Sequence, residues 1–349
     1  MNLIIRSDAN ANIGIGHVMR CIALGQAWKD LGGDVTFLCC CERKILRQRI
    51  IEEGFHFIPI NKAHPDPDDL YSTLELLSAN QHAQLAKSPW LVLDGYHFTT
   101  NYQKTIRKNG YKLLIIDDMA HLDHYYANII LNQNIHASGL HYSCQRETIK
   151  LLGCKYVLLR KEFIDYKVGM RKIPDKANKI LVTLGGEDSE NVTLKVIKAL
   201  NSLNDPDFEV KVVIGPANLN IDKLDNEIQC SSFKGHLVAS VNRMPEFMAW
   251  ADLAISGGGS TCWEMAFFGL PFLTIVLAEN QESIATGLFE KGVSLDLGWH
   301  DKLSIERISR CLQDIIYNQN IREIFSSKGQ QLLNGNGSKK VADVIYRDV

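Results

Sequence analysis

Leu3-Ile-Ile-Arg-Ser-Asp-Ala-Asn-Ala-Asn-Ile-Gly-Ile-Gly-His-Val-Met-Arg20 is the stretch from which the fold is read. Leu3, Ile4 and Ile5 form an apolar run that reads as an opening strand. A polar loop follows, and Gly14 and Gly16 remove side-chain bulk just where His17 enters the first turn of a helix over 18–31. Strand, glycine-containing turn and helix form the repeating unit of doubly wound parallel sheets.

The same alternation continues outward. Strands are expected at 35–40, 55–60, 90–93, 112–116 and 129–131, with helices at 42–53, from Leu70, and at 100–108. The pattern breaks over 163–178, a charged stretch with Gly169 and Pro174 that reads as a linker. It restarts with strands at 179–184, 209–214, 253–256 and 272–276. Helices are expected at 190–203, 222–227, 240–250, 262–268 and 281–290, and three more near 304–317, 321–333 and 339–346. The expectation is an α/β chain of two Rossmann-like domains, 1–165 and 166–349, facing each other across a cleft.

Composition narrows the class of function. Hydrophobic residues at 46% and charged residues at 22% are ordinary for a soluble globular protein. A net charge of -2 gives no electrostatic footprint for nucleic acid or an anionic membrane. No apolar run approaches the roughly 20 residues of a membrane span, and the opening residues lack the pattern of a signal peptide. Nine cysteines, none in a CxxC pair, read as reduced core thiols of a cytoplasmic protein.

In doubly wound sheets, ligands gather outside the carboxyl ends of the strands. Asp8–His17, Asp94–Tyr96 and Asp117-Asp118 lie at such ends in the first half; Gly185-Gly186, Ser256–Thr261 and Glu279-Asn280-Gln281 do so in the second. Gly257–Thr261 opens a helix, so backbone amides and the hydroxyls of Ser260 and Thr261 can meet a phosphate. Glu264, one turn on, can accept both hydroxyls of a ribose. The alternative is a tight turn with a capped helix. His17 is either a neutral base at a helix N-terminus or a residue that caps or packs.

The G-x-G-x-x-G dinucleotide fingerprint fails at Met19, which leaves a nicotinamide enzyme as a weak reading. Asp66-Pro-Asp68 spells D-x-D but reads as a loop with a helix N-cap. Asp117, Asp118, His121, Asp123 and His124 read as a solvated loop from which Asp118 can reach the cleft, with metal binding as the alternative.

Several of these motifs resemble a known family. Arg6-Ser-Asp8, Ile13-Gly-Ile-Gly-His17, Arg20-Cys21, Leu24, Val182-Thr-Leu-Gly-Gly186, Ser256 with the glycine loop and Glu264, Asn280-Gln-Glu282 and Gly335-Asn-Gly337 are similar to the UDP-sugar hydrolases of pseudaminic acid biosynthesis. The glycine motifs are shared more widely with MurG-like glycosyltransferases of the GT-B type. The resemblance implies a GT-B fold and hydrolysis of UDP-2,4-diacetamido-2,4,6-trideoxy-β-L-altropyranose to UDP and free sugar, metal-independent and inverting. It implies that His17 activates water, and that Tyr96 and Asn280 lie near the substrate, with Gly16, Asp94 and Gln281 expected beside them. UDP is expected on Gly186, Gly258, Gly259, Ser260, Thr261 and Glu264. Gly95 stands where relatives can carry histidine. No cofactor, metal, nucleic-acid or membrane partner is expected; the sequence does not fix the oligomeric state, and the absence of an extra interaction segment leans to a monomer.

A GT-B glycosyltransferase would keep the donor site and place an acceptor hydroxyl where water sits. No basic-plus-apolar surface segment suggests the lipid acceptor that MurG-like enzymes must reach. A non-catalytic nucleotide-sugar binding protein would keep the glycine loop and Glu264 but have little use for His17.

Overall fold

The computed structural model describes residues 2–9, 14–83, 89–166, 169–185, 188, 190–215, 218–239 and 244–347. The chain divides into two compact units, Met1–Lys161 with Gly335–Val349, and Glu162–Asn334. In order, the first unit contains β1 (Asn2–Ser7), α1 (Gly16–Asp30), β2 (Asp34–Cys39), α2 (Lys44–Glu52), β3 (His56–Pro59), α3 (Pro67–Ala83), β4 (Trp90–Asp94), α4 (Thr100–Lys108), β5 (Lys112–Ile116), β6 (Ile129–Asn132) and β7 (Ile149–Leu152). The short helix α5 (Lys161–Asp165) spans the change of unit.

The second unit continues with β8 (Lys179–Thr183), α6 (Val192–Asn201), β9 (Glu209–Val213), α7 (Ile221–Gln229), β10 (Lys234–Val238), α8 (Met244–Trp250), β11 (Leu253–Gly257), α9 (Thr261–Phe267), β12 (Phe272–Val276), α10 (Glu279–Glu290), β13 (Leu295–Trp299), α11 (Ile305–Ile316) and α12 (Gln319–Leu332). The last helix, α13 (Gly337–Arg347), returns to the first unit.

Both sheets are parallel throughout. The first runs β3-β2-β1-β4-β5-β6-β7 and the second β10-β9-β8-β11-β12-β13. In each, the strand order reverses beside the first strand of the unit, at β1–β4 and at β8–β11. Such a switch point splays the neighbouring loops apart and leaves a crevice at the carboxyl edge. Ser7 pairs with Asp94 and Ser256 with Thr183, so the chain segments entering these crevices are those after β1, β4, β8 and β11. This is the two-domain, Rossmann-like α/β architecture of GT-B proteins.

The strands at the switch points are buried on both faces, hence their continuous apolar runs. On α1, Val18, Cys21, Ile22, Leu24 and Trp28 enter the core of the first unit, and so do Val341, Ala342 and Ile345 of α13. An aliphatic side chain buried this fully contributes about 1.5–3 kcal/mol. A division at 165 assigns α13 to the second half; its apolar stripe instead completes the first core beside α1. Gly337 permits this docking, because a Cβ there would stand 2.1 Å from the Val157 carbonyl oxygen. Ser338 Oγ fixes the entry by donating to the Leu159 carbonyl, 3.1 Å away.

Among the described residues, no helix is long and apolar enough to cross a membrane.

Candidate active site

His17 lies in the first turn of α1, which begins at Gly16. The N-cap residue is Ile15 and no side chain caps the helix, so the imidazole is not a cap. Its partner comes from the neighbouring strand: His17 Nδ1 is 2.6 Å from Asp94 Oδ1 at the end of β4. In a neutral ring with its proton on Nδ1 towards the carboxylate, Nε2 has the lone pair. Among the described residues no hydrogen bond takes up Nε2, and the His17 side chain is 12% exposed.

Asp94 is fully buried and shared. Arg20, one turn beyond His17 on α1, donates Nε to Asp94 Oδ2 at 2.6 Å and Nη2 to Oδ1 at 2.7 Å. Its Nη1 reaches Asp118, 2.9 and 2.8 Å from the two oxygens. Asp118 also accepts from Tyr96 Oη and from Asn134 Nδ2, each at 2.6 Å. The Tyr96 ring stands edge-on to His17 with centroids 4.9 Å apart. Burial works against the Asp94 charge, but Arg20 and then His17 overcome it and hold the carboxyl well below its usual range. Burial likewise opposes the Arg20 charge, and Asp118 and then Asp94 outweigh it.

A second relay of the same composition sits at the end of β1. His97 Nε2 is 3.0 Å from Asp8 Oδ2, Asp8 is paired with Arg6, and Arg6 with Asp69 at the start of α3. Asp69 also accepts from Tyr102 Oη at 2.7 Å, and Arg6 lies over the Phe98 ring. The His97 ring folds over Gly95; a Cβ at Gly95 would come within 2.6 Å of His97 Cε1, so the small residue there follows from its neighbour.

Asp94 and Gln281 hold protein groups. Asp94, expected on the substrate side, is closed off by His17, Arg20 and Cys21. Gln281 Oε1 accepts from the amides of Gly258 and Leu277, both at 3.1 Å, and so ties the glycine loop to the segment after β12. Asn280 lies in the first turn of α10, whose N-cap is Ala278. Gly16 opens α1 beside His17.

Gly258, Gly259, Ser260 and Thr261 link β11 to α9, and Glu264 is in the first turn of that helix. Ser260 is the N-cap residue, yet its hydroxyl makes no capping bond. Among the described residues, no loop or turn carbonyl accepts from the amides of Gly259, Ser260 and Thr261. Gly186 lies outside the described residues.

Asp117 and Asp118 differ from the solvated loop expected of them. Both are buried, because Asp117 is satisfied by the amides of Met119 and Ala120 and by the hydroxyls of Tyr142 and Tyr125. His121 Nδ1 is 3.2 Å from the same carboxylate, which raises the His121 pKa. Asp66 behaves as a loop residue at a helix start, its side chain accepting from the Asp68 amide at 3.1 Å. Among the described residues no three His, Cys, Asp or Glu side chains are grouped to hold a metal ion.

Sequence reasoning did not assign a role in the site to Arg20 or Asn134. Arg20 was open to detection: it follows His17 by three residues, the spacing that puts two side chains on one helix face. Asn134 has no such signal, because only the fold of the segment after β6 brings it to Asp118.

Comparison with known proteins fits this architecture. Residues 179–344 match the glycosyltransferase family 28 C-terminal domain, a span that covers the second unit from β8 onward and runs into α13. An uncharacterized protein of Methanocaldococcus jannaschii is 28% identical over 80% of this chain, and the chain spans 56% of that relative's length. The UDP-2,4-diacetamido-2,4,6-trideoxy-beta-L-altropyranose hydrolase of Campylobacter jejuni is 24% identical over 85% of this chain and 99% of its own. Among solved structures, MurG of Acinetobacter baumannii superposes with a TM-score of 0.71 at 16% identity, covering 99% of each chain. The chain thus has the GT-B fold, and most of its second unit is similar to the family 28 C-terminal domain.

Proposed function

We propose that this protein hydrolyses a UDP-activated deoxy-diacetamido sugar, UDP-2,4-diacetamido-2,4,6-trideoxy-β-L-altropyranose, to UDP and the free sugar, a reaction of pseudaminic acid biosynthesis. The observation that carries the reading is the His17–Asp94 pair, with Nδ1 committed to the carboxylate and Nε2 left to accept a proton. The similarity to the Campylobacter hydrolase over nearly its whole length supports the choice of substrate.

Water attacks the anomeric carbon and gives its proton to His17 Nε2. The bond from that carbon to the diphosphate oxygen breaks, and its electron pair leaves with UDP. Attack opposite the leaving group inverts the anomeric centre. UDP is a good leaving group, so one base suffices and no second catalytic carboxylate is needed. Gly258–Thr261 would receive the diphosphate on backbone amides, Glu264 the ribose hydroxyls, and Gly186 would complete the nucleotide side. Gly16, Tyr96 and Asn280 are assigned to the sugar side.

The second reading is a glycosyltransferase, favoured by the family 28 match. The same His17–Asp94 pair would then deprotonate an acceptor hydroxyl. Proton NMR of the purified full chain with a panel of UDP-sugars and no acceptor separates the two. Free reducing sugar appearing with UDP is expected. UDP release that requires an added acceptor alcohol would replace hydrolysis by transfer, and no turnover under either condition would remove both.

A further inference from the structure

An imidazole that faces a buried carboxylate alone is drawn toward its protonated form, because the negative charge stabilises imidazolium. A protonated His17 has no lone pair with which to take a proton from water. The carboxylate opposite His17 is not alone, however. Asp94 Oδ1 accepts from His17 Nδ1 at 2.6 Å and from Arg20 Nη2 at 2.7 Å, and Arg20 Nη2 comes within 3.2 Å of His17 Nδ1. Two donors therefore share one acceptor, and one of them carries a permanent positive charge. Asp118 draws the other side of the same guanidinium.

We propose that Arg20 is a positioning residue that sets the proton affinity of His17: its charge offsets that of Asp94, so the imidazole stays neutral with its proton on Nδ1, and Asp118 moderates the offset. The proposal deepens the hydrolase reading and rests on His17 being the base. Among the described residues, the ionisable groups around the ring come from three places. α1 supplies Arg20 and Cys21, whose thiol donates to Asp94 at 3.4 Å. β4 and the segment after it supply Asp94 and Tyr96. The segment after β5 supplies Asp118, through Arg20 and Tyr96, and His121 on the far side of the Tyr96 ring. Arg20 is the cation of this set that touches both aspartates.

The test is an NMR titration of the His17 ring in the full chain, its signal assigned by its loss in His17→Asn. Arg20→Met should raise the midpoint by at least about one pH unit, the size expected for removing a charge within about 4–6 Å. Asp118→Asn should lower it, because a negative charge is lost and Arg20 is released toward Asp94. The acid limb of the pH–rate profile should move in the same direction in each variant. A midpoint that stays or falls in Arg20→Met, or rises in Asp118→Asn, overturns the proposal. Should Arg20→Met fail to fold, the near-isosteric Asp118→Asn decides. The ring titrates whether or not the protein turns over a UDP-sugar, so opposite shifts without turnover would remove the hydrolase reading and leave the role of Arg20 standing.

Discussion

Around the β1–β4 switch point the buried ionisable side chains include Arg6, Asp8, Asp69, Arg20, Asp94 and Asp118. Among the described residues at the β8–β11 switch point, the buried polar side chains are those of Thr183 and Ser256, and Gly257 and Gly258 follow the latter. Strand order and crevice are alike; the chemistry is opposite. A group that must gain and lose a proton needs fixed charged partners to set its tautomer and affinity. A group that only holds an anion is served by backbone amides, which stay neutral and let the ligand come close. Under the proposed function, one scaffold would separate the two tasks, reaction in the first unit and retention in the second.

The separation can be broken by exchanging the effects of two substitutions. His17→Asn should lower turnover about 10³-fold, within the range for loss of a general base, while the affinity for UDP measured by calorimetry stays nearly unchanged. Glu264→Ala should do the converse. Loss of charge-assisted bonds worth about 1.5–3 kcal/mol weakens UDP binding roughly 10- to 100-fold and leaves kcat nearly intact. A His17→Asn variant that loses binding and rate together would end the division of labour, as would a Glu264→Ala variant with unaltered UDP affinity.

Acid should sharpen the comparison at the level of stability. Asp8, Asp94 and Asp117 are all held below the ordinary carboxylate range. Burial alone would raise each. For Asp8 the opposing groups are His97 and then Arg6; for Asp117 they are His121, the Ala120 amide and two tyrosine hydroxyls. A carboxylate with a depressed folded pKa contributes its stability above the unfolded value of about 3.9 and loses it as pH falls through the folded value. The second unit has Asp205 with Lys176 near its surface, a pair of smaller effect. As pH falls below about 4, the first unit should therefore loosen first. Hydrogen exchange resolved by peptide, corrected for the intrinsic pH dependence, should show earlier loss of protection in β1 and β4 than in β8 and β11. Simultaneous loss in both sheets would mean that the buried charges do not set the acid limit.

Much of this was legible in the chain. The central strands announce themselves because burial on both faces demands unbroken apolar runs, as in Trp90-Leu-Val-Leu93 and Phe272-Leu-Thr-Ile-Val276. The strands left unread were β7, β10 and β13, and all three are sheet edges. Lys234-Gly-His-Leu-Val238 is largely accessible and carries no such run. His17 could be singled out because a histidine after two glycines at a strand–helix junction is unusual in shape. Asp94 and Asp118 could be placed at strand ends, but not paired with α1, since they lie 77 and 98 residues from the residues they bind. The return of α13 to the first core was hidden for the same reason: its stripe is plain, but not which core it fills.

The smallest expected effect compares the two histidine relays of the first unit. His97–Asp8–Arg6–Asp69 repeats the composition of His17–Asp94–Arg20–Asp118 on the adjacent strand. The rings differ in what is left over. His17 meets its aspartate through Nδ1 and keeps Nε2. His97 meets its aspartate through Nε2, and its Nδ1 lies against Gly95, 2.9 Å from where a Cβ would stand. The His97 ring also packs on Phe98, with centroids 4.2 Å apart. Its second nitrogen thus lies beside Gly95, and the relay ties the segment after β4 to the end of β1. His97→Asn should cost about 1 kcal/mol of stability, the size of one lost hydrogen bond, and change turnover by less than about 10-fold. Denaturant unfolding alongside the turnover assay measures both. A loss of rate comparable to that of His17→Asn, at little cost in stability, would mean that both relays serve the reaction.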